Sequence, residues 1–464
     1  MAMVWPSAVN SARLGKLASS LGRLFRSPSP WSDGTRFRVD GARCSAGRGA
    51  TLLTAAVLPM EPQPSSLRRQ WFEGWFLRIV DHATRSSVAL IFGSLRRAGR
   101  GSRSPLSPFD EHLVVLAYSD ERDATERSRH VLLDGEAARV LGRAQPSGSQ
   151  PTGARVSWWS DHHGGMEVSG NDVFVDVRLG GEGIAGNDLR LVANISGPRI
   201  LWDEQRPDHG GPEGWLSRTG LLPCHYFVHS FGSRASYTLW DRTAAAGSAA
   251  GIAPRAPSGW ASTKPRLMGE RALAHVERNW GDAFPTGWVW AQATASTGDA
   301  FLVLTGGRFV IGPLTTHSHV IGLRTRAELG GSRGSARYGR RRGWPALSWD
   351  FRTTDLDRVA EVRRPCDGLL AINATSRNGR RRLELVFSAP PRSFGARIPV
   401  PTTAEGFSDQ PGCRESYTAV VELTAWQRPT RDRAASAVVE NDEKLVHRTH
   451  IPRAVLEFGG DFQC

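Results

Sequence analysis

From about residue 68 onward, apolar and polar residues alternate with a period of two, which predicts β-strands because successive strand side chains point to opposite faces. Gly, Pro, Asn and Asp separate the alternating segments, as expected for turns. The best helical pattern in this region covers Leu356–Arg364. The alternating segments predicted as strands are Ser87–Leu95, His112–Tyr118, Asp172–Leu179, Leu189–Ile195, Tyr226–Trp240, Trp288–Thr294, Phe301–Val310, Leu383–Phe387, Tyr417–Trp426 and Ala454–Phe458.

These strands predict a mainly β fold of the barrel or sandwich kind. The clearest interruption is the small-residue and proline-rich stretch at 243–265, TAAAGSAAGIAPRAPSGWASTKP, which has the composition of a linker. We therefore expect two β-barrel-like or sandwich-like halves, residues 66–242 and 266–464, joined by this linker.

Residues 1–60 have the composition of an organelle transit peptide. They are rich in Arg, Ser, Ala and Gly and poor in acidic residues, and Leu14, Leu17, Leu21 and Leu24 recur at helical spacing. No apolar run reaches the roughly 18 residues that a membrane-spanning helix needs. The sequence therefore predicts a mature protein that is soluble or peripheral to a membrane.

The formal net charge of +14 raises the question of nucleic-acid binding. Only three of the 59 basic residues are lysines, and the others are scattered through the N-terminus and loops such as 330–342. Because these arginines follow no periodic face, we interpret them as solvated loop residues and expect no nucleic-acid partner.

Nothing in the sequence predicts a metal or a cofactor. The cysteines, residues 44, 224, 366, 413 and 464, form no CxxC motif, which favours reduced thiols over a zinc site or a disulfide framework. His317 and His319 would share one strand face, but no third ligand is evident, and hydrogen-bonded core or surface histidines are commoner than a metal pair. The GEGIAG segment at 181–186 lies between two predicted strands, which indicates a hairpin turn and not a dinucleotide site.

Acidic residues stand among tryptophans in two segments. Trp71 and Trp75 flank Glu73, whereas His275, Glu277 and Asn279 share one face of a predicted strand; after a turn at 281–286, Trp288 and Trp290 again share a face. An apolar wall raises the pKa of a carboxyl so that it can donate a proton, and aromatic faces stabilise a cation. The alternative is structural, with Glu73 and Glu277 in ion pairs, for instance with Arg78 or Arg278.

Several segments resemble the tocopherol cyclase family, in the same order along residues 68–460. These segments are RRQWFEGWFLRI, GLLPCHYFVHS, LAHVERNWGDAFPTGWVWAQ, PTTAEGFSDQPGCRESYTAVVELTAWQR and RAVLEFGG. The resemblance implies a lipocalin-like β-barrel enzyme of vitamin E synthesis. It would close the chromanol ring of prenylated benzoquinols such as 2-methyl-6-phytyl-1,4-benzoquinol, without a cofactor. It also implies a plastid location, peripheral to plastoglobules or thylakoids.

Such a reaction begins with protonation of an alkene and ends with capture of the cation by a phenol oxygen. We expect Glu277 or Glu73 to be the general acid and His275 to take or relay the phenolic proton. Asn279 would hydrogen-bond the quinol. The other residues expected to bind the substrate are Trp71, Trp75, Trp280, Trp288, Trp290 and His225.

Two other functions remain open from the sequence. A related enzyme would add external water to an isoprenoid alkene and produce a tertiary alcohol. A carrier with a lipocalin-like cavity would bind prenylquinones without turnover. In each case the partner is a lipid-dissolved prenylated molecule at a membrane or lipid-droplet surface.

Overall fold

The structure is a computed structural model. It describes residues 70–97, 109–143, 155–169, 172–180, 188–197, 200, 202, 211–218, 222–242, 264–311, 314–326, 345–395, 397–402, 406–428 and 443–464. All of these residues belong to one compact unit, Arg48–Cys464. The predicted transit peptide at 1–60, nearly all of the predicted linker and the basic loop at 330–342 lie outside the described residues.

The first sheet contains 11 antiparallel strands in the order β4-β3-β2-β1-β11-β10-β9-β8-β7-β6-β5. Its strands are β1 (Trp71–Asp81), β2 (Ser86–Arg96), β3 (Glu111–Asp120), β4 (Thr125–Asp134), β5 (Arg139–Arg143), β6 (Arg155–Ser160), β7 (Gly164–Ser169), β8 (Asp172–Leu179), β9 (Leu189–Ser196), β10 (Cys224–Asp241) and β11 (Leu267–Gly281). A 3-10 segment, Gly211–Arg218, precedes β10.

The second sheet contains 10 strands, most of them in the order β15-β14-β13-β12-β21-β20-β18-β17-β16, with β19 paired to β20. Its strands are β12 (Gly287–Thr294), β13 (Ala300–Ile311), β14 (Leu314–Arg326), β15 (Pro345–Arg352), β16 (Arg358–Arg364), β17 (Leu369–Thr375), β18 (Arg381–Ser388), β19 (Ile398–Thr402), β20 (Gly406–Gln427) and β21 (Lys444–Gly460). Short 3-10 turns occur at Thr353–Asp355, Pro365–Asp367 and Pro391–Ser393.

The predicted fold class, mainly β in two barrel-like halves, is confirmed. The helix predicted over Leu356–Arg364 is wrong, because Arg358–Arg364 forms strand β16 and pairs with β17. Its side chains alternate strictly between exposed and half-buried, which is the period of an edge strand. The hairpin predicted around 181–186 agrees with the antiparallel pairing of β8 and β9, although the turn itself lies outside the described residues.

The boundary between the halves differs from the one predicted at 243–265. Strand β11 follows that stretch, yet it pairs with β1 and β10 and completes the first sheet. The chain passes to the second sheet only after Gly281, through the turn that precedes β12. Composition located the linker-like stretch, but strand pairing depends on tertiary contacts that composition does not contain.

Each sheet curls around its own apolar core. The first core joins residues of strands far apart in the sheet order, such as Leu90 of β2 and Val175 of β8. The second does the same with Leu302 of β13 and Leu370 of β17. Because these residues meet in one cluster, each sheet must curve strongly enough to bring its distant strands together.

A separate layer of side chains packs between the two sheets. On β1, Trp75, Leu77 and Ile79 face the first core, whereas Phe72 faces this inter-sheet layer. Burial on both faces explains why β1 carries apolar residues on both of its faces. The inter-sheet layer comprises Phe72, Ala89, Leu95, Leu113, Val115, Ala117, Trp288, Trp290, Ile398, Val400, Phe407, Cys413, Tyr417 and Val455, and a second patch comprises Ile200, Trp202, Val228, Phe231, Phe301 and Val303.

The expectation of reduced cysteines is wrong for one pair. Cys366 and Cys464 form a disulfide, with Cα atoms 5.0 Å apart although they are 98 residues apart in sequence. Spacing could not reveal this pair, because the fold brings the C-terminus to the turn that contains Cys366. Cys224 and Cys413 are free thiols, and Cys44 lies outside the described residues.

Within the described parts of the chain, no helix has the length and apolarity needed to cross a membrane.

Candidate active site between the sheets

A cavity of about 410 Å³ lies between the two sheets. Most of its wall is apolar and comes from both sheets, with Phe72 and Phe76 on β1, Trp288 and Trp290 on β12, and Phe407 on β20. The rings pack edge to face, as Phe76 does against Trp290 with centroids 4.7 Å apart. A volume of this size suits a small organic molecule or one end of a longer one.

Tyr226, Glu277 and His275 form the first polar cluster at this cavity. The hydroxyl of Tyr226 donates a hydrogen bond to Glu277 Oε2, and His275 Nε2 lies 2.8 Å from the same oxygen. Burial and the nearby Glu277 carboxyl raise the pKa of Tyr226 well above its usual value. The alternation of β11 thus brings His275 and Glu277 together, as the sequence predicted.

Glu73 and Arg278 form the second cluster. Their side chains make a buried ion pair, and the indole Nε1 of Trp75 donates to Glu73 Oε1 at 3.2 Å. The guanidinium of Arg278 also lies over the rings of Trp75 and Trp280, 5.1 and 5.0 Å from their centroids. Glu73 therefore forms the ion pair with Arg278 that was the structural alternative to a catalytic role. Glu277 instead contacts Tyr226 and His275.

Glu415 and Glu457 form the third cluster, on strands β20 and β21. The two residues are directly opposite each other in the pairing of these strands. Glu415 accepts a hydrogen bond from the hydroxyl of Tyr417, and Glu457 accepts one from the indole of Trp288. Both glutamates line the cavity and are almost completely buried, at 3% and 9% exposure.

Burial dominates the electrostatics of this third cluster. It raises the pKa of Glu457 well above its usual value, and repulsion from Glu415 raises it further. Burial also raises the pKa of Glu415, and the negative charge of Glu277 adds to that effect. Two neighbouring carboxyls in an apolar environment cannot both ionise easily, so the pair tends to hold one proton.

One cation that acts on this pair is Arg78, which lowers the pKa of Glu415 and is fully buried at the junction of the sheets. Its guanidinium donates to Ser87 Oγ at 3.0 Å, to Gln292 Oε1 and to the carbonyl of Arg453. Burial lowers the pKa of Arg78 to about 9. Because its hydrogen bonds go to neutral acceptors, Arg78 forms no salt bridge with Glu415 or Glu457 within the described residues.

The residues predicted for the site fall into two groups. Glu73, Trp75, Glu277, Asn279, Trp288 and Trp290 line the cavity, and His275 reaches it through its contact with Glu277. Trp71, Trp280 and His225 are not among the lining residues. His225 instead stacks on Trp280 at 5.4 Å and lies 3.0 Å from Glu213 Oε2, in a cluster beside the cavity.

Among the lining residues that form the polar clusters, Tyr226, Glu415 and Glu457 were not predicted as site residues. All three lie in segments that carry the family resemblance, GLLPCHYFVHS, the PTTAEGFSDQPGCRESY region and RAVLEFGG. In RAVLEFGG, Glu457 is the one acidic residue, which was an available signal, whereas the region around Glu415 contains many polar residues and does not single it out. What the sequence did not contain was the register that places β20 beside β21, and hence Glu415 beside Glu457.

The residues considered as metal ligands in the sequence have other contacts in the structure. His317 stacks on Phe462 with centroids 5.9 Å apart, and His319 Nε2 lies 2.5 Å from Glu361 Oε2. Elsewhere, Cys413, Glu415 and Glu457 place one oxygen or sulfur each within 4.8 Å of one another. Both carboxyls of that group already accept hydrogen bonds from aromatic side chains, which favours a shared proton over a bound cation as the means of neutralising them.

The fold and the cavity therefore define a mainly β protein with buried carboxyls in an apolar chamber between two sheets. Residues 238–460 match the tocopherol cyclase-like family, and over this segment the resemblance read from the sequence is confirmed. No curated protein sequence matches the chain significantly.

Solved structures with a similar arrangement include CghA in complex with Sch210972 and kievitone hydratase from Nectria haematococca. CghA is 11% identical, with a TM-score of 0.45 and coverage of 85% of this chain and 89% of its own. Kievitone hydratase is 8% identical, with a TM-score of 0.41 and coverage of 86% of this chain and 91% of its own. Identities this low carry no information about the reaction.

Proposed function

We propose that this protein is a cyclase that closes the chromanol ring of prenylated benzoquinols, such as 2-methyl-6-phytyl-1,4-benzoquinol. The observation that carries the proposal is the cavity between the sheets, which combines aromatic walls with buried carboxyls. The match of residues 238–460 to the tocopherol cyclase-like family supports it.

The cavity suits both parts of the reacting end of such a substrate, the quinol ring and the adjoining prenyl units. The aromatic and aliphatic wall would bury the first isoprene units of the prenyl chain, and the polar clusters would receive the hydroxyls of the quinol ring. A cavity of about 410 Å³ accommodates the reacting end, so the rest of the chain would extend toward the opening.

The reaction needs an acid, a shielded cation and a base. An alkene is a weak base, so the acid must be a neutral carboxyl held close to it in a site from which water is excluded. The faces of Trp288 and Trp290 would stabilise the tertiary cation. Glu277, which is hydrogen-bonded to Tyr226 and next to His275, would accept the phenolic proton.

One observation also favours a second function, the addition of water to an isoprenoid alkene. The oxygens of Tyr226 and Glu277 could orient a water molecule as readily as a phenol, and the captured cation would then become a tertiary alcohol. The two reactions share the protonation step and differ only in the nucleophile.

The arginine- and serine-rich residues 1–60 support import into an organelle, and the resemblance to the tocopherol cyclase family favours the plastid as that organelle. There the protein would work at the surface of plastoglobules or thylakoids, where prenylquinols dissolve. The partner in this proposal is the lipid surface that holds the substrate, and no metal or redox cofactor takes part.

The test is incubation of the full chain with chemically reduced 2-methyl-6-phytyl-1,4-benzoquinol in D₂O, with products identified by chromatography and mass spectrometry. We expect a chromanol with one deuterium bound to carbon. A product heavier by one water would assign the chain to the hydratase reaction. Quinol that is bound but unchanged would contradict an enzymatic function and favour a carrier.

A further inference from the structure

We propose that Glu457, which shares a proton with Glu415, is the proton donor of this site, in place of Glu277 or Glu73. This inference rests on the proposed function, since it assigns the first step of alkene protonation. It concerns the third polar cluster, which neither the tryptophan-flanked acidic segments nor their spacing indicated.

The position of Glu457 on the cavity wall supports this role. Strands β20 and β21 place Glu415 and Glu457 side by side on the cavity wall. The thiol of Cys413 lies within 4.8 Å of an oxygen of each carboxyl. Trp288 donates its indole hydrogen to Glu457, which fixes that carboxyl beside the ring that would shield the cation. An acid held against the cation-stabilising wall is where an alkene bound to that wall must receive its proton.

The charges around Glu415 and Glu457 also favour a shared proton. The groups that act on the pair are Arg78, Glu277, Tyr417, Cys413 and Trp288. Arg78 is the one cation among them, and its hydrogen bonds go to Gln292, Ser87 and a backbone carbonyl. With no salt bridge to neutralise it, the pair is stable in this apolar site when it keeps one proton between its two carboxyls.

The surroundings of the other two candidate acids, Glu73 and Glu277, give these carboxyls different roles. Glu73 is held in an ion pair with Arg278, so its carboxylate already has a positive partner. Glu277 accepts a hydrogen bond from Tyr226 and contacts His275, an arrangement suited to receiving a proton. The three clusters thus divide into an acid, a base and a structural ion pair.

The proposed step balances without an added reactant. The O–H bond of Glu457 breaks as its proton forms a C–H bond at the alkene carbon nearer the ring. The farther alkene carbon becomes a tertiary cation, and a lone pair of the phenol oxygen forms the C–O bond. The phenolic proton passes to Glu277, and its return to the Glu415–Glu457 pair restores the site. No group is oxidised or reduced, because the product is an isomer of the quinol.

The main test compares Glu457→Gln with Glu126→Gln. Burial also raises the pKa of Glu126, but this carboxyl is on β4 and is not among the cavity-lining residues. We expect Glu457→Gln to lower kcat by at least about 100-fold, the range for loss of a general acid, with KM changed by less than about threefold. We expect Glu126→Gln to keep the wild-type kcat, and Glu457→Asp to recover part of the lost rate.

A second variant tests the pairing even if Glu457→Gln folds poorly. Glu415→Gln removes the repulsion that disfavours ionisation of Glu457, so it should lower the pKa of Glu457. Since the protonated form is active, the loss of kcat at alkaline pH should begin at lower pH than in the wild type. A structural role of Glu415 would change kcat or the melting temperature without moving this limb of the pH profile.

The outcomes separate this inference from the function on which it depends. If the wild type neither cyclises nor hydrates prenylated benzoquinols, the proposed function fails. If the wild type is active and folded Glu457→Gln keeps more than about half of its kcat, the proton-donor assignment is overturned and the function stands. Activity lost on dialysis against EDTA and restored by a divalent cation would also overturn it, because the cluster would then hold a metal ion.

Discussion

At the scale of single residues, the glutamates of the cavity differ in their partners. The carboxylate of Glu73 is neutralised by Arg278. Glu277 contacts Tyr226 and His275, whereas Glu457 lies opposite the carboxyl of Glu415. Sequence spacing correctly predicted that His275 and Glu277 share a face, because alternation along one strand is local. It could not choose between Arg78 and Arg278 as the partner of Glu73, because that choice depends on the pairing of β1 with β11.

Removing Arg278 should be strongly destabilising. Arg278→Leu leaves the carboxylate of Glu73 buried without a cation, and we expect the free energy of unfolding to fall by about 3–5 kcal/mol. The double variant Glu73→Gln/Arg278→Leu should recover much of this loss, because it leaves no unpaired charge. Urea denaturation measures both, and equal stability of the single and double variants would contradict the ion pair.

The raised pKa of Glu457 makes stability depend on pH. A carboxyl whose pKa rises on folding supports the folded state while it is protonated in both states, and this support is lost as the pH rises toward the folded pKa. Above about pH 4.5 the wild type should therefore lose about 1.4 kcal/mol per pH unit through this group.

The variant Glu457→Gln should remove that dependence. Relative to the wild type, its free energy of unfolding should increase between pH 5 and pH 8, as measured by urea denaturation at each pH. Glu136→Gln, at an exposed position, is the control and should follow the wild type. If the free energy of unfolding of Glu457→Gln changed with pH in parallel with that of the wild type, Glu457 would be ionised in the folded protein.

At the scale of elements, the turn between β11 and β12 connects the two sheets. The sequence predicted both strands and this turn, because alternation, Gly281 and Pro285 are local signals. Strands β16 and β19 were not predicted as strands because they are short, with seven and five residues, and because two prolines interrupt β19. Partner strands were not predictable either, since β12 pairs with β21, which lies far along the chain.

The pairing of β12 with β21 leaves room for the indole of Trp288 only because the opposite residue is a glycine. Gly459 on β21 lies opposite Trp288, and a Cβ there would overlap the indole ring. Gly459→Ala should displace that ring, lower the free energy of unfolding by about 1–3 kcal/mol and weaken prenylquinone binding. Fluorescence titration and urea denaturation measure the two effects.

Gly395→Ala provides the matched control, because a Cβ at Gly395 meets no atom within 4 Å. It should keep both the affinity and the stability of the wild type. If Gly459→Ala also bound prenylquinone with wild-type affinity, Trp288 would not shape the binding cavity.

At the scale of the whole molecule, the cavity exists because two curled sheets press their outer faces together. Arg78 crosses this junction from β1 in the first sheet to Gln292 of β12 and the carbonyl of Arg453 in the second. The sequence predicted the mainly β class and two halves. It could not predict which faces meet, because each strand that is apolar on both faces is compatible with several packings.

Arg78→Met should test how strongly the sheets depend on each other. It leaves the oxygens of Gln292 and of the Arg453 carbonyl without their donor, so we expect a loss of about 3 kcal/mol in the free energy of unfolding. The variant should still unfold in one transition, seen equally by tryptophan fluorescence and circular dichroism. Arg428→Met, at a half-exposed position, should change stability by less than about 0.5 kcal/mol.

We propose that a prenylated quinol binds and reacts in the cavity between the sheets. The most direct test is a crystal structure with a quinol whose first prenyl double bond is saturated, so that it binds but cannot be protonated. We predict its hydroxyl within hydrogen-bond distance of Tyr226 or Glu277, and the saturated carbons against Trp288, next to Glu457. A quinol bound elsewhere on the protein, with this cavity unoccupied by it, would contradict the account.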